Sequence, residues 1–441
     1  MTSPVLRKAL NLCSAGGVLL GASAWAQSPA SSAVTQPAPA ASAEPYADRV
    51  LDDSPQPADT LGTEENTSGW PRGWSVEFQS SQQRADVSTR NDSLLFSGYI
   101  DTPDYGALSA NFNLNRYTNN YSGTALVNTG GGTFVATPYT YENTNTWRID
   151  QRGMPFNGGW FANNSIGTIN LANTPMARSI GRVYLPSLPI EGASVAVEQP
   201  GRTSFNASGG RLGYFDGIVS QGFSPGRGQA ASAGAQTQVT GADGLDALGR
   251  TDVAVQMVDV HDYSAFGLQG YSQNTRSVWA AASWQGVAPW ASSVEPGYGT
   301  IADRIGGLRV QANVVQSAGQ PSDIYSLAPR DSASGTWVDA AWRTQWLQQA
   351  VSVFYFEPSL RWGSESLPSD LRGVNWRGNV TTRQWQLSSN IEVSDSVSGR
   401  QGSSVFGNMY GRYRFDSRDA ISSTIAARTG EFAAQWPQVT W

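Results

Sequence analysis

From residue 70 onward, apolar and polar residues alternate with a period of two along much of this chain. Trp74, Val76 and Phe78 alternate with Ser75, Glu77 and Gln79, and Leu108, Ala110, Phe112 and Leu114 with Ser109, Asn111, Asn113 and Asn115. Further on, Trp385, Leu387, Ile391 and Val393 alternate with Gln384, Gln386, Ser388, Asn390 and Glu392. Val405, Gly407, Met409, Gly411, Tyr413 and Phe415 alternate with Phe406, Asn408, Tyr410, Arg412 and Arg414. Weaker alternation runs through 278–284, 308–314 and 338–342. Successive side chains of a strand point to opposite faces, so this period predicts strands with two chemically different faces.

Three features predict lipid on one of those faces. Several runs last about 9–11 residues, the length that crosses a bilayer when tilted, against about 5–6 for the usual globular strand. Aromatic residues close the runs: Trp74, Trp284, Trp337, Trp346, Trp362, Trp376 and Trp385, as in the girdles of membrane barrels. The opposite face carries Asn, Gln, Ser and Arg, as a water-filled lumen would. Apart from the first segment, no 18-residue apolar run exists, which excludes a helical membrane protein. The pattern therefore predicts an all-β chain: a transmembrane antiparallel β-barrel of about 12–16 strands over residues 70–441, preceded by a disordered linker. Trp284, Trp385, Tyr413 and Phe415 are the candidate membrane girdle. Tyr410, Arg412, Arg414, Asn390 and Glu392 are the candidate lumen lining.

Turn chemistry divides the runs. Asp416-Ser417-Arg418-Asp419 predicts a tight hairpin. Gly-, Ser- and Pro-rich stretches at 128–133, 224–244 and 317–335 predict long outer loops. Between about 150 and 250, segments such as YLPSLPIEG and FSPGRG break the alternation, because Pro is confined to sheet edges and bulges. Short strands with large loops are expected there, one loop being a candidate plug. Trp441 and Val439 suit a terminal barrel strand, whereas Pro437 and Gln435 interrupt it.

Residues 1–26 read as a secretory signal peptide. Arg7 and Lys8 form its charged start, residues 9–22 its apolar centre, and Ala24-Trp25-Ala26 its cleavage pattern, leaving Gln27 as the new N-terminus. Residues 27–69 are Ala/Pro/Ser-rich and then acidic, with Glu44, Asp48, Asp52, Asp53, Asp59, Glu64 and Glu65 against Arg49. Such a segment buries too little apolar surface to offset its ordering entropy. It is a spacer, or a docking segment for a periplasmic partner.

Composition narrows the chemistry. The net charge of −6 argues against a nucleic-acid partner. The only Cys, Lys and His are Cys13, Lys8 and His261, which leaves no disulfide, no His/Cys zinc site and no catalytic lysine beyond the signal. His261 shares a strand face with Asp259, next to Asp262, without a nucleophile motif nearby. Asp243, Asp246 and Asp252 lack the EF-hand spacing. No catalytic residue, metal site or cofactor is assigned. Arg377, Arg383, Arg412 and Arg414 could form an arginine ladder favouring anionic solutes, or brace the barrel by pairing with inward carboxylates such as Glu392.

With its Ala24-Trp25-Ala26 cleavage pattern, alternating strands, aromatic run ends and terminal Trp441, the chain resembles Gram-negative outer-membrane β-barrels as a broad class. Members of that class include diffusion porins, polymer exporters and ushers. The resemblance implies an outer-membrane location, contact with membrane lipid, and passage or export of polar solutes or a polymer without catalysis. Two other readings remain open. One is an usher-like or adhesin-like barrel with a periplasmic or surface protein partner. The other is a secreted soluble β protein that binds carbohydrate through its Trp and Tyr residues.

Overall fold

The computed structural model describes residues 70–441 apart from 85–87, 120–124, 129–132, 137–144, 178–180, 217–221, 242–248, 265–271, 297–299, 323–325, 401, 417–418, 431–434 and 441. The expected signal peptide and linker therefore lie outside the described residues.

Strands dominate. The first group is β1 (Arg72–Arg84), β2 (Ser88–Thr102), β3 (Gly106–Asn119), β4 (Ala125–Asn128), β5 (Thr133–Ala136), β6 (Thr146–Phe156), β7 (Trp160–Asn170), β8 (Pro189–Gln199), β9 (Thr203–Asp216), β10 (Gly222–Thr240) and β11 (Arg250–Ser264). The second is β12 (Ser272–Val287), β13 (Gly307–Pro321), β14 (Asp331–Arg343), β15 (Leu347–Phe356), β16 (Arg361–Trp362), β17 (Glu365–Ser366), β18 (Leu371–Thr381), β19 (Trp385–Asp395), β20 (Ser403–Arg414), β21 (Ala420–Gly430) and β22 (Gln435–Thr440). The short hairpins β4–β5 and β16–β17 stand apart. The other eighteen strands form one sheet, a meander in which each strand pairs antiparallel with the next.

Eighteen wall strands exceed the expected 12–16. The difference lies in segments whose composition suggests loops. The expected loop at 224–244 is mostly β10, a 19-residue strand, and the one at 317–335 contains the end of β13 and the start of β14. Between about 150 and 250, the expected short strands are β6 to β10, of 11 to 19 residues. Ala, Gly, Ser and Gln have low strand propensity, but a wall strand is fixed by pairing on both sides, since membrane depth leaves no backbone group unpaired. Prolines are absorbed at irregularities. Pro225 marks a register shift between β9 and β10, and Pro437 lies within the shift between β21 and β22.

The two ends of the wall differ. At one end β1 begins, β22 finishes, and five of the connections have three residues each: 103–105, 157–159, 200–202, 344–346 and 382–384. The expected hairpin at 416–419 is there too, with Asp419 N–H donating to Asp416 Oδ1 at 2.8 Å. Two connections at this end are longer, 241–249 and 288–306. The other end carries the connections 120–145, 171–188 and 357–370. Short turns on one side and long loops on the other are the asymmetry of bacterial outer-membrane barrels, with the long loops outside.

Burial follows the period of two. On β11, Asp252, Ala254, Gln256, Val258 and Val260 are buried, while Val253, Val255 and Met257 are exposed. On β14, Trp337 and Asp339 are buried and Val338 is exposed. Exposed Val, Leu, Ile and Phe recur at outward positions around the wall: Phe96, Phe112, Ile166, Val195, Val314 and Val374. A soluble sheet would leave its polar face in water. Here the apolar face is outermost, as a lipid-facing surface requires.

The segment 171–188 defines the inside. Its backbone is held by Ser208 on β9, Gln236 on β10, Gln256 on β11, Gln311 on β13 and Ser352 on β15. It also meets Arg377 on β18 and Glu392 on β19. One short segment can touch the same face of so many successive strands only if the sheet curls around it. The wall is thus a transmembrane antiparallel β-barrel with a filled interior.

Candidate functional site: the lumen and its inward segments

The lumen is narrowed by two inward segments. The first, 171–188, enters and leaves as a pinched loop, with Leu171 N–H donating to the Leu188 carbonyl at 2.8 Å. Buried wall amides replace the missing backbone partners. Gln256, fully buried, accepts from Thr174 N–H at 2.8 Å and donates to the Ala172 carbonyl at 2.8 Å. Gln236 accepts from Met176 N–H at 2.9 Å, and Gln311 donates to the Met176 carbonyl at 3.0 Å. Gly234 lets the segment approach, because a Cβ there would meet Thr174 Cγ2 at 2.7 Å.

The second segment, 357–370, contains the β16–β17 hairpin. Gly363 has φ +60 and packs against Leu188 and Val258, so the two segments meet. Thr275 donates to the Gly363 carbonyl at 2.8 Å, and Ser277 accepts from Gly363 N–H at 3.0 Å. Around this junction lies an apolar core of Leu188, Val258, Trp279, Trp337, Phe356 and Trp362. The expectation that Trp337 and Trp362 form part of a girdle is therefore corrected: they are 2% and 0% exposed. Trp337 has inward parity, and Trp362 belongs to an inward loop. The alternation cannot distinguish a membrane-facing aromatic from a plug-facing one.

At the far end of the first segment, Arg182 forms a two-point pair with Glu392, its Nη2 donating to Oε1 at 2.8 Å. The guanidinium also lies 4.6 Å from the Phe354 ring centroid. Arg377 Nη2 donates to the Gly181 carbonyl at 2.8 Å. Glu392, a candidate brace for wall arginines, takes its partner from the inward segment instead. Asn390 Oδ1 accepts from Asn375 Nδ2 at 2.8 Å.

Tyr410 and Arg412 share the inward parity of Asn390 and Glu392, since their partners across β19–β20 are Ser388 and Gln386, and Arg414 follows with the same parity. Among the described residues, Arg412 and Arg414 form no ion pair. Trp385 and Tyr413 are cross-strand partners on the outer face, with ring centroids 4.6 Å apart. Phe415 stacks edge-on against Tyr413 at 4.9 Å. Trp284 has the outward parity of Val278. These four aromatics lie at the short-turn end. Ala24, Ala26 and Gln27 are outside the described residues, as are Asp243 and Asp246. Asp252 pairs with Arg250 at 2.8 Å. His261 Nε2 lies 3.4 Å from Asp259 on the outer face, away from the lumen.

The inward segments crowd the side of the lumen bounded by β8–β19. Toward β1–β3 and β6–β8 two hollows remain, the second between that wall and the first inward segment. One, of about 360 Å³, is lined by Ser75, Glu77, Ser97, Asn111 and Arg148. The other, of about 440 Å³, is lined by Arg148, Ser165, Asn173, Tyr184 and Ser194. Arg148 borders both and is oriented by buried Asp150 at 2.7 Å. The period-two pattern revealed the polar wall but neither Arg182 nor Arg148 as special. The one available signal was the Pro-rich break at 184–192.

No family model matches the chain, and no curated protein matches it. Among solved structures it is similar to OpdK of Pseudomonas aeruginosa crystallised with vanillate, at 10% identity and a TM-score of 0.44, covering 83% of this chain and 94% of that one. It is also similar to OccK2 (OpdF) of Pseudomonas aeruginosa in complex with glucuronate, at 9% identity and a TM-score of 0.43, covering 83% and 92%. OccK3 (OpdO) of the same organism matches at 10% and 0.43, covering 84% and 94%.

Proposed function

We propose that the protein is an outer-membrane channel that lets small polar solutes cross by diffusion, without chemistry, after export through a cleaved signal at Ala26–Gln27. The observation that carries this reading is the pair of polar hollows sharing Arg148 beside an interior otherwise filled by two inward segments. The hollows suit a small hydrated solute. A polymer would need the inward segments to withdraw, so diffusion is preferred over export.

Selectivity follows from the lining. Arg148, Arg377, Arg412 and Arg414 face inward, and Arg182 reaches Glu392 from the inward segment. Rings of arginine favour anions, so the channel prefers small anions over cations. The testing experiment is a planar-bilayer recording of the purified protein under a salt gradient. Discrete conductance steps with an anion-selective reversal potential are expected, and Arg148→Glu together with Arg412→Glu moves the reversal potential toward cations. Absence of steps at any applied voltage would overturn the reading.

A further inference from the structure

The outer face of the barrel ends in two different rims. At the short-turn end the rim is aromatic: Trp74, Trp284, Trp385, Tyr413 and Phe415. At the long-loop end it is ionic. Outward Arg90 pairs with Asp92 at 2.8 Å, and Arg116 is the cross-strand partner of Asp92. Arg276 pairs with Asp259 at 2.7 Å, and Arg372 with Asp395 at 2.8 Å. Eight residues separate Arg276 from Trp284 along β12, and ten separate Asp395 from Trp385 along β19. At about 3.4 Å per residue and a tilt of about 40°, these spans rise roughly 20–26 Å. That is the height of the apolar band of such barrels, about 25 Å. The ionic rim therefore lies at headgroup level in the outer leaflet.

One sector of this rim is shaped as a receptor. Two adjacent strands bulge at the same level. The register of β10 against β9 shifts between Pro225 and Gln229, and that of β11 against β12 between Val260 and Tyr263. Gly228 (φ +105) and Asp262 (φ +51) take left-handed backbone there. Bulges re-aim side chains, and here they open an outward hollow of about 630 Å³ lined by Arg211, Arg227, Gly228, Gln229, His261 and Asp262. Arg211 spends its Nε on the Gly226 carbonyl, and Arg276, alongside, directs Nε and Nη2 to Asp259. Arg227 is held by Asp262 at 3.0 Å. Glu191, the outward cross-strand partner of Arg211, accepts from the Trp147 indole. Asp262 and Asp259 thus orient the guanidinium planes of Arg227 and Arg276, and the Gly226 carbonyl that of Arg211; a guanidinium carries five N–H donors, more than any one of these acceptors takes up.

We propose that this hollow binds the phosphate group of an outer-leaflet lipid headgroup, with Arg211 and Arg227 as the direct donors and Arg276 beside them, the phosphate displacing the Asp262 carboxylate from Arg227. Phosphate is the anion that such planar, forked donors match two at a time. The position at membrane height on the lipid-facing wall makes a lipid the source, in preference to free phosphate. The inference needs only the barrel and its orientation, and stands or falls separately from conductance.

The test is native mass spectrometry of the full-length detergent-solubilised protein titrated with a bisphosphorylated disaccharide lipid, and separately with phosphatidylethanolamine and inorganic phosphate. Wild type is expected to retain the bisphosphorylated lipid at least tenfold more tightly than phosphatidylethanolamine. Arg211→Gln with Arg227→Gln is expected to remove that preference while the protein still shifts on a gel when boiled, the mark of a folded barrel. Should that pair fail to fold, Asp262→Asn, which removes a competing anion, is expected to tighten binding. Equal lipid binding by the arginine variants, weaker binding by Asp262→Asn, or displacement by equimolar inorganic phosphate would each overturn the proposal.

Discussion

Replacing Arg182 with Ala removes the clasp that holds the tip of the inward segment against the wall. The side chain provides two charge-assisted hydrogen bonds to Glu392 and a contact with the Phe354 ring. Without it, Glu392 keeps, among the described residues, the Asn375 amide at 3.4 Å. Breaking a fully buried pair costs about 3–5 kcal/mol. Arg182 and Glu392 retain 19% and 16% side-chain exposure, so water relieves part of that cost, and about 2–3 kcal/mol is the working figure. At about 1.4 kcal/mol per factor of ten, the ratio of released to seated tip rises roughly 30- to 140-fold. The anchors at Gln236, Gln256 and Gln311 remain, as do the Gly181 carbonyl on Arg377 and the residue-182 N–H on Ser352, so the loosening is confined to the residues that follow 182. Single-channel recording is the assay. The variant is expected to show a larger or noisier open level, and Glu392→Gln a smaller change of the same kind. The double variant should resemble the Arg182 variant alone, because the interaction is already lost. Traces indistinguishable from wild type, or fully additive effects, would refute the idea that this pair controls the bore.

Other consequences concern stability and orientation. Trp337→Ala or Trp362→Ala empties part of the inner core and is expected to cost about 3–5 kcal/mol, seen as a lower temperature for the gel-mobility shift. Val255→Arg places a charge on the apolar band and is expected to cost about 2–4 kcal/mol near the bilayer midplane, measured by refolding into vesicles; Val239→Arg, near the short-turn end, should cost much less. The Asp370 carboxylate in the 357–370 segment is held below the usual aspartate range by the Ser398 hydroxyl, the Ser398 N–H and the Ser396 hydroxyl. A lowered pKa stabilises the folded state above the ordinary value and loses that contribution as pH falls through the lowered one. Hydrogen exchange in 357–370 and 396–402 is therefore expected to rise only in strong acid, whereas Asp370→Asn should raise it already at neutral pH.

The wall was legible in the sequence where the apolar face is large: Trp74 to Phe78, Leu108 to Leu114, and Trp385 to Phe415. It was not legible across β10, where Ala231, Ala233 and Ala235 form the outward row and Ser232 and Gly234 the inward one. Small residues on both faces erase the contrast that alternation needs. There, neighbouring strands and the close approach of the inward segment dictate the structure. Asn390, Glu392, Tyr410 and Arg412 share one face of β19–β20, and parity alone groups them. Arg182 was not, since a loop residue has no parity, and its partner lies 210 positions away. Buried Trp337 and exposed Trp385 follow the same local pattern; only the inward segments distinguish them.

On the proposed function, the polar face of this wall lines a conducting path and the apolar face does not. The single Cys13 of the chain lies in the segment read as a cleaved signal, so cysteines placed at will can be read cleanly. The direct measurement is current through single channels carrying Asn111→Cys or Ser165→Cys, inward beside Arg148, or Val255→Cys, outward, during exposure to a charged, membrane-impermeant thiol reagent. Stepwise current loss is expected for the two inward cysteines and none for the outward one. Loss at Val255→Cys alone, or no reagent effect at the inward sites, would contradict it.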